Sequence, residues 1–337
     1  MKALVWTGPH QAEIRTSPDP TPKPDEVVVR IRASGVCGSD LLGFVGKSKK
    51  RVPPLVLGHE MAGDVAAVGS GVRDLAPGTR VAILPLFTCG LCAPCRRGRS
   101  NLCPSRLLLG MNLPGGFAEY AVAPRPYVYP VGGLEPLAAS MIEPLATPLN
   151  FFDSHARGPV ETVAVLGAGT QGLLALQLAR LAGAREVVAV DTNDARLAVA
   201  RRLGATRAIN PASADAVAAV LDATKGEGCD AVVDAAGVSA TRQQAVRMCA
   251  RGGTVGLVGL HDPESPLDCM DVIGREVAVH GVYGYTAAHF RKALDLVTAG
   301  KVDVTSWVRE YPLEEGAAVL ARLVTKPGDL VKASLTP

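Results

Sequence analysis

The run Val163-Ala-Val-Leu-Gly-Ala-Gly-Thr-Gln-Gly172, continuing through Leu181, Gly183 and Val187-Val-Ala-Val-Asp191, decides how this chain folds. Val163 to Leu166 is apolar and predicts a buried strand. Gly167, Gly169 and Gly172 then fit G-x-G-x-x-G, with Thr170 and Gln171 inside the turn. A helical pattern follows through Leu181 and stops at Gly183. A second apolar run, Val187 to Val190, ends on Asp191. Glycines suit such a turn because the chain must bend tightly, let a pyrophosphate approach the backbone, and pack a helix on a strand. The helix N-terminus offers unpaired N–H groups and a positive dipole end to the phosphates. Asp191, nineteen residues after Gly172, stands where a carboxylate accepts from an adenosine ribose hydroxyl. The same carboxylate repels a 2′-phosphate, which favours NAD over NADP. A glycine triplet alone is a weak signal; strand, turn, helix, strand and acid in order make it specific.

The pattern extends on the C-terminal side. Apolar runs at Val187–Val190, Ala231–Val233, Thr254–Leu257 and Val277–Val279 alternate with helical stretches at Ala195–Leu203 and Ala240–Ala250. Such alternation predicts a doubly wound parallel sheet, which binds dinucleotides where the strand order reverses. Val258 is expected to line the nicotinamide pocket, and Arg196 either lies beside the adenosine ribose or caps the helix surface. Cys229, Cys249 and Cys269 have no partner spacing and read as core or surface thiols. A helix is predicted over Ala287–Ala299, stopped by Gly300, and a strand over Leu330–Leu335.

A chain of 337 residues with 48% hydrophobic residues has room for two packed domains. The net charge of +3, without a long run of one sign, argues against nucleic acid as the main partner. No apolar run reaches membrane-spanning length, and the first residues lack the apolar stretch of a signal peptide, so a cytoplasmic location is expected.

Upstream, Met1 to Trp6 and Glu26 to Ile31 read as strands, joined through a connector with prolines at 18, 20, 22 and 24. Cys37 falls in a turn or helix start within Ser34-Gly-Val-Cys-Gly-Ser-Asp40, and His59 and Glu60 follow within Leu57-Gly-His-Glu60. Cysteine, histidine and carboxylate suit a tetrahedral zinc. Spacing alone leaves this site open, because an isolated cysteine reads equally as a small buried hydrophobe. The run Cys89, Cys92, Cys95, Cys103 is more specific: C-x2-C-x2-C-x7-C supplies four thiolates and no open position, a structural zinc site. An iron–sulfur cluster is the main rival, but the run lacks ferredoxin spacing; a disulfide pair is a weaker one. Lys47, Lys49, Lys50 and Arg51 form a cationic run that reads first as a solvated loop, and second as a clamp for a phosphorylated substrate.

On these motifs the chain resembles the zinc-containing medium-chain dehydrogenases/reductases of the alcohol dehydrogenase superfamily, in the polyol (sorbitol) dehydrogenase branch. The matching segments are Gly58-His-Glu through Gly63 with Gly69 and Val72, the Cys89–Cys103 lobe, Gly115-Gly-Phe-Ala-Glu-Tyr120, Ile142-Glu-Pro-Leu145 and the glycine-rich turn. The resemblance implies a GroES-like, β-rich catalytic domain over residues 1–149, completed by 286–337, and a doubly wound Rossmann domain over 150–285. It implies two zinc ions per chain. Cys37, His59, Glu60 and Glu143 would hold the catalytic one, with Glu60 either a third ligand or moving on and off as water and substrate exchange, and Glu143 binding directly or through water. Cys89, Cys92, Cys95 and Cys103 would hold the structural one. Thr147 would pack on the nicotinamide, and Ser39 would begin a proton relay. One departure stands out. The family often carries C-G-x-D-x-H, whereas Leu42 here replaces that histidine.

The implied activity is NAD-dependent oxidation of a secondary alcohol, a polyol, cyclitol or sugar alcohol, to a ketone. Alternatives are a sugar- or polyol-phosphate dehydrogenase using the Lys47–Arg51 loop, a zinc-free quinone reductase, and a non-catalytic zinc- or NAD(H)-binding module. The expected partners are a small alcohol or ketone and further copies of the chain, as a dimer or tetramer; no nucleic acid or membrane partner is expected.

Overall fold

A computed structural model describes residues 1–156 and 158–337. It divides into two compact units. The first comprises Met1–Glu143, Thr286–Gly300 and Val304–Pro337; the second comprises Pro144–Tyr285 and Lys301–Asp303. The division falls inside the helix Ile142–Ser154, between Glu143 and Pro144.

The first unit is built on β-structure. Its largest sheet runs in the order Val128–Pro130, Arg80–Ile83, Glu60–Val68, Glu26–Gly35, Lys332–Thr336, Val308–Pro312, with Tyr120–Pro124 also pairing with Glu26–Gly35. Alternating side chains of these strands bury Val27, Val29, Ile31, Met61, Val65, Val81, Ile83 and Val128 in one apolar cluster. A second cluster gathers Leu4, Trp6, Phe44, Phe117, Leu320 and Leu335. Each such side chain contributes roughly 1.5–3 kcal/mol by leaving water.

Two registers in this sheet build the site. Glu26–Gly35 pairs antiparallel with Glu60–Val68 so that Gly35 faces Glu60 and Ser34 faces Met61. The C-terminal strand pairs antiparallel on the other side, Ser334 opposite Gly35. Cys37, His59, Glu60 and Lys332 are thereby gathered around one strand end. The strand is ten residues long, longer than the predicted Glu26–Ile31, because it has ladder partners along its whole length.

The second unit is a six-stranded parallel sheet. Numbered within the unit, Thr162–Leu166, Glu186–Val190, Arg207–Ile209, Cys229–Asp234, Cys249–Leu257 and Ala278–Gly281 lie in the order 3-2-1-4-5-6. That is the dinucleotide-binding order, with the reversal beside the first strand. Val163, Ala164, Val165 and Leu166 are all buried, as a strand covered on both faces requires. The predicted helix Ala240–Ala250 ends at Met248 instead. From Cys249 the chain is already extended, because Cys249 pairs opposite Cys229 in the parallel ladder.

Candidate metal centres and cofactor turn

The four lobe cysteines converge. Their sulfurs all lie within 4.8 Å of one another; Cys92 and Cys95 are 3.4 Å apart and Cys103 and Cys89 3.5 Å. Sulfurs around a tetrahedral zinc, at ~2.3 Å each, stand ~3.8 Å apart. N–H groups of Cys92 and Leu91 lower the Cys89 thiol to about 6. Cys92 is pushed up to about 12: the Cys95 N–H opposes the rise, but desolvation and the neighbouring thiols Cys95, Cys89 and Cys103 outweigh it. Four cysteine sulfurs this close are the donor set of a tetrahedral metal, so the lobe fits a structural zinc.

Cys37 caps the short helix Gly38–Phe44. Its sulfur, one His59 nitrogen and one Glu60 oxygen also lie within 4.8 Å of one another, with His59 and Glu60 buried. Gly58, at φ +90°, turns the chain into His59, and a side chain there would strike the Phe117 ring. A Cβ on Gly35 would come 2.0 Å from Glu60 Oε2, so the glycine makes room for the carboxylate.

Lys332, 1% exposed, donates to Glu60 Oε2 and, at 2.9 Å, to the Val36 carbonyl. Glu60 Oε1 is buried without a partner among the described residues. An orphaned carboxylate oxygen beside a thiol and an imidazole is what a bound metal satisfies, so these residues fit a catalytic zinc.

Behind the candidate ligands, Asp40 Oδ1 lies 3.2 Å from His59 Nδ1, so Nε2 would be the nitrogen that meets a metal. Burial would raise Asp40, but His59, Arg51 and the Cys37 N–H overcome it and hold the carboxyl at about 2. Burial likewise disfavours charge on His59, but Asp40 and the Cys37 thiol outweigh it and raise its pKa well above the ordinary range.

Other predicted residues take the following places. Glu143 is buried in the first turn of Ile142–Ser154, outside the group formed by Cys37, His59 and Glu60. Thr147 lies on the same helix, half-buried. Lys47, Lys49 and Lys50 are exposed. Arg51 is not available to a substrate clamp: it is buried, 3.2 Å from Asp40, and donates to the Gly110 carbonyl at 2.9 Å. Sequence reasoning assigned no role to Asp40, Lys332 or this use of Arg51. Asp40 lies inside the quoted C-G-x-D run and was findable; Lys332 acts from 272 residues away, and Arg51 sits in a run whose other cations face solvent, so neither was.

In the second unit the glycine-rich turn has the packing its pattern predicts. Gly167 has φ +93° and rests against Ala236; a Cβ on Gly172 would lie 1.8 Å from the Gly167 carbonyl. Gly169 caps the helix Thr170–Leu181, with open space where a Cβ would stand. Gln171 donates to the Pro144 carbonyl at 3.2 Å, and its Oε1 is buried without a partner. Asp191 Oδ2 accepts from Ala168 N–H at 2.7 Å and Oδ1 from Asn193 N–H at 2.8 Å, pinning the acid against the turn. Arg196 Nη1 is 3.9 Å from Asp191, and its Nε is buried and unpartnered. Val258 is buried and donates its N–H to the Asp234 carbonyl.

Comparison with known proteins agrees with this geometry. Residues 23–133 match the family described as an alcohol dehydrogenase GroES-like domain, and residues 172–299 match the zinc-binding dehydrogenase family. Sorbitol dehydrogenase of Bacillus subtilis is 33% identical over 344 residues, covering 100% of this chain and 97% of that protein. Galactitol-1-phosphate dehydrogenase from Escherichia coli superposes with a TM-score of 0.92 at 30% identity, each chain fully covered. A structure from Sinorhizobium meliloti with NADP bound superposes at 0.93, with 34% identity over 100% of this chain and 99% of that one. The chain belongs to the zinc-type medium-chain alcohol dehydrogenase superfamily, as an NAD(P)-dependent oxidoreductase with a GroES-like domain and a Rossmann domain.

Proposed function

We propose that this protein oxidises a secondary alcohol of the polyol, cyclitol or sugar-alcohol class to a ketone, reversibly and with NAD. The observation that carries the reading is the convergence of Cys37, His59 and Glu60, with one Glu60 oxygen buried and unpartnered. These three residues would hold a catalytic zinc, with Glu143 as a further ligand, direct or through water. Cys89, Cys92, Cys95 and Cys103 would hold a structural zinc. The catalytic ion, when bound, supplies Lewis-acid polarisation of the substrate oxygen; the nicotinamide supplies the hydride acceptor.

The chain's own residues do the rest. Asp40 holds His59 in one tautomer. Lys332 offsets the Glu60 charge. Ser39 receives the hydroxyl proton. The Gly167–Gly172 turn and the first N–H groups of its helix carry the pyrophosphate. Thr147 and Val258 bound the nicotinamide. Asp191 selects NAD, because a carboxylate already fixed by two N–H donors has lone pairs for ribose hydroxyls and repels a 2′-phosphate. Arg196 flanks that ribose.

The strand Ala278–Gly281, at the edge of its sheet among the described residues, and the exposed Leu260, Met270 and Ile273 support assembly into a homo-oligomer.

Initial rates of NAD reduction across matched polyols, cyclitols and their phosphates test the substrate class, with Cys37→Ser as control. That variant is expected to bind NAD and turn nothing over. Wild-type turnover by Cys37→Ser would sink the metal assignment. Turnover of phosphorylated members alone would move the substrate to the phosphate class and bring Lys47, Lys49 and Lys50 into recognition.

A further inference from the structure

We propose that Arg51 is the positioning residue of the catalytic site, setting both the direction of the Ser39 hydroxyl and the orientation of His59. The inference rests on the dehydrogenase reading above and concerns a residue first read as loop surface. Arg51 is 4% exposed, and the Asp40 side chain it pairs with is wholly buried. Its Nη2 donates to Asp40 Oδ1 at 3.2 Å and to Ser39 Oγ at 3.3 Å, and its Nε donates to the Gly110 carbonyl at 2.9 Å. One planar fork thus joins the helix Gly38–Phe44 to the segment that leaves the cysteine lobe. A path is kept open for it: a Cβ on Gly43 would stand 2.5 Å from Arg51 Cδ.

The consequence follows from the guanidinium's inventory of donors and no acceptor. Ser39 Oγ must be the acceptor in its bond with Arg51, so the serine hydrogen points elsewhere. One lone pair is left to receive a proton. In alcohol oxidation the substrate O–H breaks, a new O–H forms on Ser39, and the hydrogen Ser39 already carried leaves to water. The hydride goes to the nicotinamide. Arg51 cannot take the proton; it fixes the route. Leu42, two residues after Asp40, cannot carry a proton, so the direction of this hydroxyl decides whether the proton can leave. The second contact acts through Asp40: the carboxylate shared between Arg51 and His59 Nδ1 cannot swing away from the imidazole.

The test uses the full-length, zinc-loaded enzyme as wild type, Arg51→Ala, Arg51→Lys and Gly43→Ala. Two quantities are followed: zinc released to a chelator per chain, and alcohol oxidation in H2O and D2O. Loss of a group behind a metal ligand costs about 10- to 100-fold in metal affinity or activity. In Arg51→Ala, one of the two zincs is expected to leave faster by about that factor. Its kcat is expected to fall with a larger solvent isotope effect, and added guanidinium ion to recover part of kcat while leaving wild type unchanged. Arg51→Lys keeps the charge without the fork and should show the same losses, smaller. If Arg51→Ala does not fold, Gly43→Ala, which crowds the arginine but keeps its charge, carries the test and should show both changes. Folded variants with wild-type zinc release and wild-type kcat would overturn the proposal. So would a fall in kcat with unchanged zinc release, unchanged isotope effect and no response to guanidinium. If wild type oxidises no alcohol in the panel, the dehydrogenase reading fails by itself, and the zinc-release comparison still decides whether Arg51 holds Asp40 against His59.

Discussion

At the scale of residues, small side chains make the chemistry possible and charged ones tune it. Gly35 leaves room for Glu60, and Gly172 lets a helix reach the Gly167 carbonyl; in both places a methyl group would meet an oxygen at 2.0 Å or less. Asp191 is held by two backbone N–H donors, so its removal frees the turn as well as the ribose site. On the proposed reading that Asp191 selects NAD, Asp191→Ala is expected to raise KM for NAD about tenfold or more, worth about 1.4 kcal/mol per factor of ten, and to lower the ratio of KM for NADP to KM for NAD, since Arg196 loses its acidic neighbour. Steady-state KM values for both cofactors check this; an unchanged ratio would remove Asp191 from cofactor selection. In the lobe, on the proposed reading of two zincs per chain, Cys89→Ser should lower the zinc content to one and lower the melting temperature, because bound structural metal contributes directly to folding. Equal zinc content by elemental analysis would count against four-thiolate coordination.

At the scale of elements, strand register decides which residues meet. The pairing of Gly35 with Glu60 and with Ser334 draws together three segments remote in sequence. The same strands are tied on the surface by Asp64, which accepts from Arg80 at 2.5 Å and Arg32 at 2.8 Å. Partial burial would raise the Asp64 pKa, but hydrogen bonds from Arg80 and Arg32 outweigh it and lower it below 3.8. A depressed carboxylate pKa stabilises the fold at pH above the unfolded value, and that stabilisation is lost as pH falls through the folded one. Asp64→Asn should thus cost up to about 1 kcal/mol at neutral pH, with the gap to wild type closing below pH ~4. Denaturant midpoints at pH 7 and pH 3 measure it; a gap that stays constant would show that shape and not charge matters there.

At the scale of the whole molecule, the two units carry different candidate features. Both groups of metal-ligand candidates lie in the first and the glycine-rich turn in the second. Cofactor binding should therefore survive metal removal: a chelator strong enough to strip the catalytic site is expected to abolish turnover, with NADH still bound as judged by its fluorescence. Loss of NADH binding in step with zinc would contradict that separation. If the chain self-associates as proposed, the exposed Met270 and Ile273 of the second unit are expected to be buried in the interface. Replacing both with glutamate should lower the mass seen by light scattering. An unchanged mass would place the interface elsewhere or show a monomer.

Much of this was legible in the chain because the signals are local. The G-x-G-x-x-G turn and the closely spaced cysteines need only neighbouring residues, and their backbone and ligand demands leave few alternatives. The same holds for the alternating apolar runs of the parallel sheet, apart from the end of the helix that stops at Met248, where ladder pairing overrode helical propensity. Long-range contacts were not legible. Lys332 beside Glu60, and Arg51 turned inward from a cationic run, are set by strand register and by space left at glycines. Sequence by itself determined the fold class, the candidate ligand residues and the glycine-rich turn. Only the tertiary structure decided which buried charges stand behind those ligands, because a buried ion is tolerated only where distant segments bring it a partner.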